Sequence, residues 1–131
     1  MKRSTLIFLP AIFWTIISYT LLTIPGSDLP TSDFFELVYF DKWVHIGMFG
    51  ILVVLWSLPF LKKAFNQKTL IAITLLVIAY GVVMEFVQKY FTSDRNFDIT
   101  DIAADIVGAL FGLWFIKILI KRISRAKNKP L

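Results

Sequence analysis

Four long apolar stretches divide the sequence, and short polar segments separate them. The stretches run from Thr5 to Ile24, from Trp43 to Leu61, from Thr69 to Phe91 and from Asp101 to Ile120. Each is close to the ~20 residues that an α-helix needs to cross the hydrocarbon core of a bilayer. Unpaired backbone groups are costly in lipid, and the stretches lack the alternation of barrel strands, so each is predicted to be a helix.

Composition supports a membrane protein with a single domain over residues 1–131. Hydrophobic residues make up 57% of the chain and charged residues only 18%. A water-soluble protein of this size lacks the interior volume to bury so many apolar side chains. The predicted fold is therefore an all-α integral membrane four-helix bundle.

The first stretch has a basic start but is longer than the apolar core of a signal peptide, and no A-x-A cleavage site follows it. We therefore expect it to be retained as a helix. The chain has no cysteine, which excludes disulfides and thiolate metal sites.

Basic and acidic segments alternate along the chain, which predicts its orientation. The N-terminus, the second loop and the tail are basic, through Lys2, Arg3, Lys62, Lys63, Lys68 and the cations of residues 121–131. The first and third loops are acidic, through Asp28, Asp33, Glu36, Asp94, Asp98 and Asp101. The positive-inside rule then places both termini in the cytoplasm, as expected for a multi-pass protein of the cell membrane.

The basic tail, about residues 121–131, is expected to fray from Arg125 onward and to contact anionic lipids. Topology explains these cations, so no nucleic-acid partner is predicted.

Three of the predicted helices carry a polar pair near the outer end of the bundle. The pairs are Asp41 and His45 on the second helix, Glu85 and Gln88 on the third, and Asp101 and Asp105 on the fourth. Spacings of three and four put each pair on one helix face. At 1.5 Å per residue, Glu85 lies about 9 Å inside its helix end and Asp105 about 6 Å. Intramembrane ionisable residues are costly and are functional candidates, so we expect a site here.

Within this site, Glu85 and His45 are the candidate catalytic residues, as acid and base or as metal ligands. The candidate binding residues are Asp41, Lys42, Gln88, Arg95, Asp98, Asp101 and Asp105. Several have structural interpretations as well. Asp41, Asp98 and Asp101 also suit helix N-termini. Glu85 also suits a buried ion pair with His45 or Arg95, and Arg95 could clamp Asp98 and Asp101 or bind a phosphate or carboxylate.

Carboxylates outnumber cations around this site, and three arrangements would relieve the crowding. One carboxyl could stay protonated, or a cationic ligand group could bind. Alternatively, a divalent cation could be held by His45, Glu85, Asp101 and Asp105.

The fourth helix also carries small residues at a spacing of four. Ala104, Gly108 and Gly112 form a small-xxx-small stripe, which predicts close packing against another helix and also allows an oligomer.

Taken in order, these residues resemble the VanZ-like family of small bacterial membrane proteins. The resemblance covers the second to fourth helices. It rests on Asp41-Lys42-x-x-His45, on Glu85-x-x-Gln88, and on Arg95-x-x-Asp98-x-x-Asp101-x-x-x-Asp105-x-x-Gly108-x-x-x-Gly112. At the position of Asp105 the family usually has Asn, so this chain adds an acid. The resemblance implies a link to the cell envelope, because the family is named for an accessory factor in resistance to the glycopeptide teicoplanin.

Three functions remain open from the sequence. The site could bind or process an envelope lipid, a lipid-linked precursor or a glycopeptide at the outer face of the membrane. The chain could instead be a non-enzymatic bundle that acts by association, or it could couple transport to protons or ions. No hydrolase triad, phosphate-binding loop or paired-histidine metal motif is present in the sequence.

Overall fold

The computed structural model describes residues 6–29, 32, 39–61 and 66–127, and this part of the chain is built from four α-helices. They are α1 (Leu9–Leu22), α2 (Phe40–Ser57), α3 (Gln67–Phe91) and α4 (Ile99–Lys127). Short 3₁₀ turns follow α1 at Gly26–Asp28 and α2 at Leu58–Phe60. The prediction of an all-α protein with four helices is confirmed.

Within the described part of the chain, three segments are long and apolar enough to span a bilayer, namely Phe40–Phe60, Gln67–Phe91 and Ile99–Ala126. The first helix is shorter than predicted, with 14 residues from Leu9 to Leu22. It ends there because Pro25 has no backbone donor and disfavours helical geometry at the residue before it. A full crossing by the first helix therefore stays a prediction.

The last helix is longer than predicted, because α4 continues through Lys127. We expected the chain to fray from Arg125 onward, and this expectation is wrong for Arg125 to Lys127, which are helical. Lysine, arginine and alanine are good helix formers, and cations are favourable at a helix C-terminus. Residues 128–131 lie outside the described part of the chain.

The surface of the bundle is apolar over much of its area. Phe13 is 64% exposed, Leu76 71% and Trp114 59%. The core between the helices includes Phe49, Leu52 and other apolar side chains that are almost fully buried. A surface of this kind suits acyl chains rather than water, so the protein is a membrane protein.

Glycines bring α2 and α4 into backbone contact. A Cβ added at Gly108 would overlap the carbonyl oxygen of Ile46, and one added at Gly112 would meet Val53 Cβ at 2.9 Å. The reciprocal position on α2 is Gly50, whose added Cβ would lie 3.1 Å from the Gly108 oxygen. The small-residue stripe of α4 therefore faces α2, and Ala104 on the same helix is also buried.

Side-chain hydrogen bonds attach α1 to its neighbours. Trp14 Nε1 donates to the Met48 carbonyl oxygen of α2 at 3.1 Å. The hydroxyl groups of Ser18 and Tyr80 lie 3.1 Å apart, which joins α1 to α3. These bonds lie within the apolar layer, where an unpaired polar group would be costly.

The predicted orientation depends mainly on cations outside the described residues, namely Lys2, Arg3, Lys62, Lys63 and Lys129. The placement of both termini in the cytoplasm therefore stays a prediction.

Candidate functional site

Polar side chains from three helices meet at one end of the bundle. This end, called the polar end below, is formed by the start of α2, the end of α3 and the start of α4. Seven side chains, called the polar cluster, lie there: Asp41, Lys42, His45, Glu85, Asp98, Asp101 and Asp105. Contacts between these residues cross from helix to helix, so the structure brings together residues that are up to 64 positions apart in the sequence.

Lys42 is the centre of the shallower half of the polar cluster. Its Nζ lies 2.9 Å from Asp41 Oδ2, 2.8 Å from Asp98 Oδ2 and 2.5 Å from Asp101 Oδ1. The side chain is only 20% exposed, so these charge-assisted hydrogen bonds replace most of the water around the ammonium group. Lys42, rather than Arg95, is the cation that holds Asp98 and Asp101 together.

Asp98 also caps α4. Its Oδ1 accepts hydrogen bonds from the backbone nitrogen of Thr100 at 2.8 Å and from the Thr100 hydroxyl at 2.7 Å. Hydrogen bonds from Lys42 and Thr100 lower the pKa of Asp98 to about 2, because they stabilise its charged form. The interpretation of Asp98 as the N-cap of the fourth helix is thus correct. By contrast, α2 begins after Tyr39 with no side-chain cap, so Asp41 lies in its first turn and is not the N-cap.

His45 and Asp105 form a buried pair one turn deeper. His45 Nδ1 lies 2.8 Å from Asp105 Oδ1, and the two residues are only 5% and 2% exposed. If Asp105 is ionised, Nδ1 donates this hydrogen bond, and the lone pair of a neutral His45 ring then lies on Nε2. Nε2 lies 3.9 Å from Asp101 Oδ1, which is too far for a hydrogen bond. The ring of His45 is also fixed by stacking on Phe49, at 2° between the planes.

Gly81 on α3 makes room for this pair. A Cβ added at Gly81 would lie 2.5 Å from Asp105 Oδ2 and 2.9 Å from a ring carbon of Phe49. Sequence reasoning missed Gly81, because a glycine within an apolar helix carries no sign of what it faces. Its spacing of one turn from Glu85 was the only available signal.

Glu85 is buried, and only one of its two carboxylate oxygens has a hydrogen-bond partner. It is 1% exposed, and its Oε2 accepts a hydrogen bond from the backbone nitrogen of Asp98 at 3.0 Å. Its Oε1 is also buried and has no hydrogen-bond partner. Glu85 therefore pairs with the backbone before α4, and neither His45 nor Arg95 is its ion-pair partner in the described part of the chain.

Gln88 and Arg95 differ from the rest of the predicted site. Gln88 is buried, and its Nε2 donates to the Leu22 carbonyl oxygen at 2.9 Å, so it closes the end of α1 rather than entering the polar cluster. Arg95 makes no ion pair among the described residues, and its Nε is buried without a hydrogen-bond partner.

The predicted metal set is not arranged as a metal site. No group of three or more His, Cys, Asp or Glu side chains in the described ranges could hold a metal ion. A physical reason is that Lys42 already lies between three of the carboxylates, where a cation would otherwise be favoured.

The chemistry available to the site follows from this geometry. Asp105 fixes the orientation of the His45 ring, and Nε2 can accept a proton when the ring is neutral and Asp105 is ionised, as in other carboxylate–histidine pairs. Glu85 offers a fixed carboxylate oxygen nearby, close enough to interact electrostatically with His45. Binding of a hydrogen-bond donor and transfer of a proton are therefore both within reach.

Comparison with known proteins identifies one family. A model of the VanZ/LLP1 family matches residues 3–120. The match confirms the resemblance drawn from the second to fourth helices and extends it over the first. No curated protein and no solved structure matches the chain significantly.

Proposed function

The chain belongs to the VanZ/LLP1 family, and on that premise we propose that its polar cluster binds the head group of an envelope lipid, a lipid-linked precursor or a glycopeptide. In this proposal the polar end faces the outside of the bacterial cytoplasmic membrane. The orientation is supported by the alternation of basic and acidic loops along the sequence.

The observation that carries the proposal is the unpartnered Oε1 of Glu85. A buried acceptor without a hydrogen bond costs about 1–3 kcal/mol, and more when it is charged. A membrane protein tolerates such a cost where a ligand or substrate supplies the missing partner. In this proposal the partner reaches Glu85 from the polar end.

A gradient of exposure supports access from that end. The Asp41 side chain is 59% exposed and that of Asp98 is 43% exposed, whereas Asp101 falls to 12% and Asp105 to 2%. A ligand head group that enters from this end would meet Lys42 and its three carboxylates first, and the pair of His45 and Asp105 lies deeper. His45 Nε2 would then accept a proton from the ligand if the protein also processes it.

A nearby apolar cavity supports a ligand with a hydrocarbon chain. The cavity holds about 250 Å³ between α1, α2 and α3, and Leu52, Val77 and Tyr80 are among the residues that line it. Tyr80 also packs on Phe49, with ring centroids 5.9 Å apart, and Phe49 stacks on His45. Ring contacts from His45 through Phe49 to Tyr80 therefore link the head-group site to the cavity, which suits a lipid.

The second candidate function is a bundle that acts by association and uses its charges for internal pairing. The three carboxylates around Lys42 and the backbone contact at Gly108 favour it. Under this alternative the polar cluster stabilises the fold, and no ligand enters it.

Susceptibility to teicoplanin separates the two. A strain without the chain is complemented with the wild type, with Glu85→Ala, with His45→Ala, or with Asp28→Ala as a control at an exposed carboxylate. We expect the wild type and the control to restore susceptibility to its original level, and the other two variants to fail while reaching the same amount in the membrane.

Full complementation by both Glu85→Ala and His45→Ala would overturn the proposed function. Failure of these variants to accumulate would instead favour the structural bundle.

A further inference from the structure

We propose that the ligand presents a protonated primary amine to Glu85 Oε1, so that the polar cluster selects amine-bearing phosphate head groups. This inference rests on the proposed function, because it specifies the chemistry of the ligand at the same site. Four observations support it.

The first observation is the charge of the polar cluster and its border. Its carboxylates are Asp41, Glu85, Asp98, Asp101 and Asp105, whereas Lys42 and Arg95 are the fixed cations. Carboxylates that crowd together in a medium of low dielectric constant favour the entry of a cation and disfavour a ligand that is only anionic.

The second observation is an example of the same chemistry within the protein. The ammonium group of Lys42 is already held by three carboxylates at distances of 2.5 to 2.9 Å. An ammonium group offers three donors and one positive charge, so it can satisfy several acidic side chains at once. A second ammonium group at Glu85 Oε1 would make one more contact of the same kind.

The third observation is that Glu85 is held in position. The bond from the Asp98 nitrogen occupies Oε2, and α3 and α4 enclose the side chain, which is 1% exposed. A carboxylate fixed in this way loses little conformational entropy when it binds a donor. A hydroxyl group would satisfy one lone pair of Oε1 but would leave the charge uncompensated, whereas an ammonium group supplies both the donor and the charge.

The fourth observation concerns Arg95, which lies three residues before the backbone group that holds Glu85. Its Nε is buried and has no partner among the described residues. A guanidinium donor is suited to phosphate oxygens. A head group that carries a phosphate beside its amine has the chemistry to offer a partner to each of these two atoms.

The test measures which lipids the full-length protein retains. The protein is placed in nanodiscs of equal parts phosphatidylethanolamine, phosphatidylcholine and phosphatidylglycerol, and bound lipids are counted by native mass spectrometry. The three lipids share the phosphate. Only the first has a primary ammonium group, the second has the charge without N–H donors, and the third has neither.

We expect phosphatidylethanolamine to be retained at least about tenfold over the other two, as one hydrogen bond between charged groups allows. Glu85→Gln should remove this preference. Asp28→Asn, the same change of acid to amide at an exposed position, should keep it.

Competition with soluble O-phosphoethanolamine identifies the source of the amine. Displacement by this compound but not by phosphocholine, without selective lipid retention, would support a soluble amine ligand. Equal retention of the three lipids, or a preference that persists in Glu85→Gln, would overturn the amine assignment. Absence of both selective retention and selective displacement would overturn it as well. None of these failures decides the teicoplanin result, so the two proposals fail separately.

Discussion

Two glycines that differ only in their neighbours offer a direct test of the contact between α2 and α4. Gly108 lies against the backbone of Ile46, and an added Cβ would overlap the Ile46 carbonyl oxygen and lie 2.8 Å from its Cα. Gly108 lies on α4. Gly47 lies on α2, and an added Cβ there would have no atom within 4 Å. Substitution by alanine therefore adds the same methyl group to a closed site and to an open one.

The expected free energies of unfolding follow from this difference. Replacing glycine by alanine within a helix stabilises it by roughly 0.5–1 kcal/mol, which both variants should gain. At Gly108 the methyl group meets backbone, which cannot rotate away, and overpacking of this kind costs about 1–3 kcal/mol. Gly108→Ala should thus unfold about 1–3 kcal/mol more easily than Gly47→Ala.

The assay is reversible unfolding of the purified protein in mixed micelles, titrated with SDS and followed by tryptophan fluorescence. Equal midpoints for the two alanine variants would refute the reasoning, because they would mean that α2 and α4 are not in backbone contact at Ile46.

Three further predictions concern polar contacts. Lys42→Met should destabilise the protein by on the order of 1–3 kcal/mol in the same titration, because Asp98 and Asp101 lose their shared donor; Asp98→Asn combined with Lys42→Met should recover part of the loss. The lowered pKa of Asp98 means that its contribution to stability is complete above pH 3.8 and is lost as the pH falls toward 2; unfolding midpoints measured across this range should fall in the wild type and change less in Asp98→Asn. Trp14→Phe should cost about 0.5–1.5 kcal/mol, because the bond to the Met48 oxygen joins α1 to α2; an unchanged midpoint would mean that α1 is held by apolar packing alone.

The helices were predictable because hydrophobicity over about 20 residues is a strong signal in a membrane protein. Their ends were less predictable. The last helix passes the expected boundary by seven residues, from Ile120 to Lys127, because the apolar pattern stops at the edge of the lipid while helix propensity continues. The first helix ends before the apolar stretch does, because backbone geometry near Pro25 decides its last turn.

The meeting of polar side chains at one end of the bundle was predictable for a similar reason, since ionisable residues near the end of an apolar helix face inward. The partners within the site were not. Spacing put Gln88 on the same face as Glu85, but the choice between α1 and the polar cluster depends on helix rotation, which spacing does not report. Arg95 lies near Asp98 and Asp101 in the sequence, whereas Lys42 is 56 and 59 positions away, and only the fold shows that Lys42 reaches them.

The length of α4 has a consequence beyond the site. Its 29 residues extend for about 43 Å, which exceeds the hydrocarbon thickness of ~30 Å by several turns. At its far end Lys121, Arg122 and Arg125 are exposed on the same continuous rod that carries Asp101 and Asp105 near its start. A tilt of this rod at one membrane surface would shift a row of positive charges against the lipid phosphates of the other.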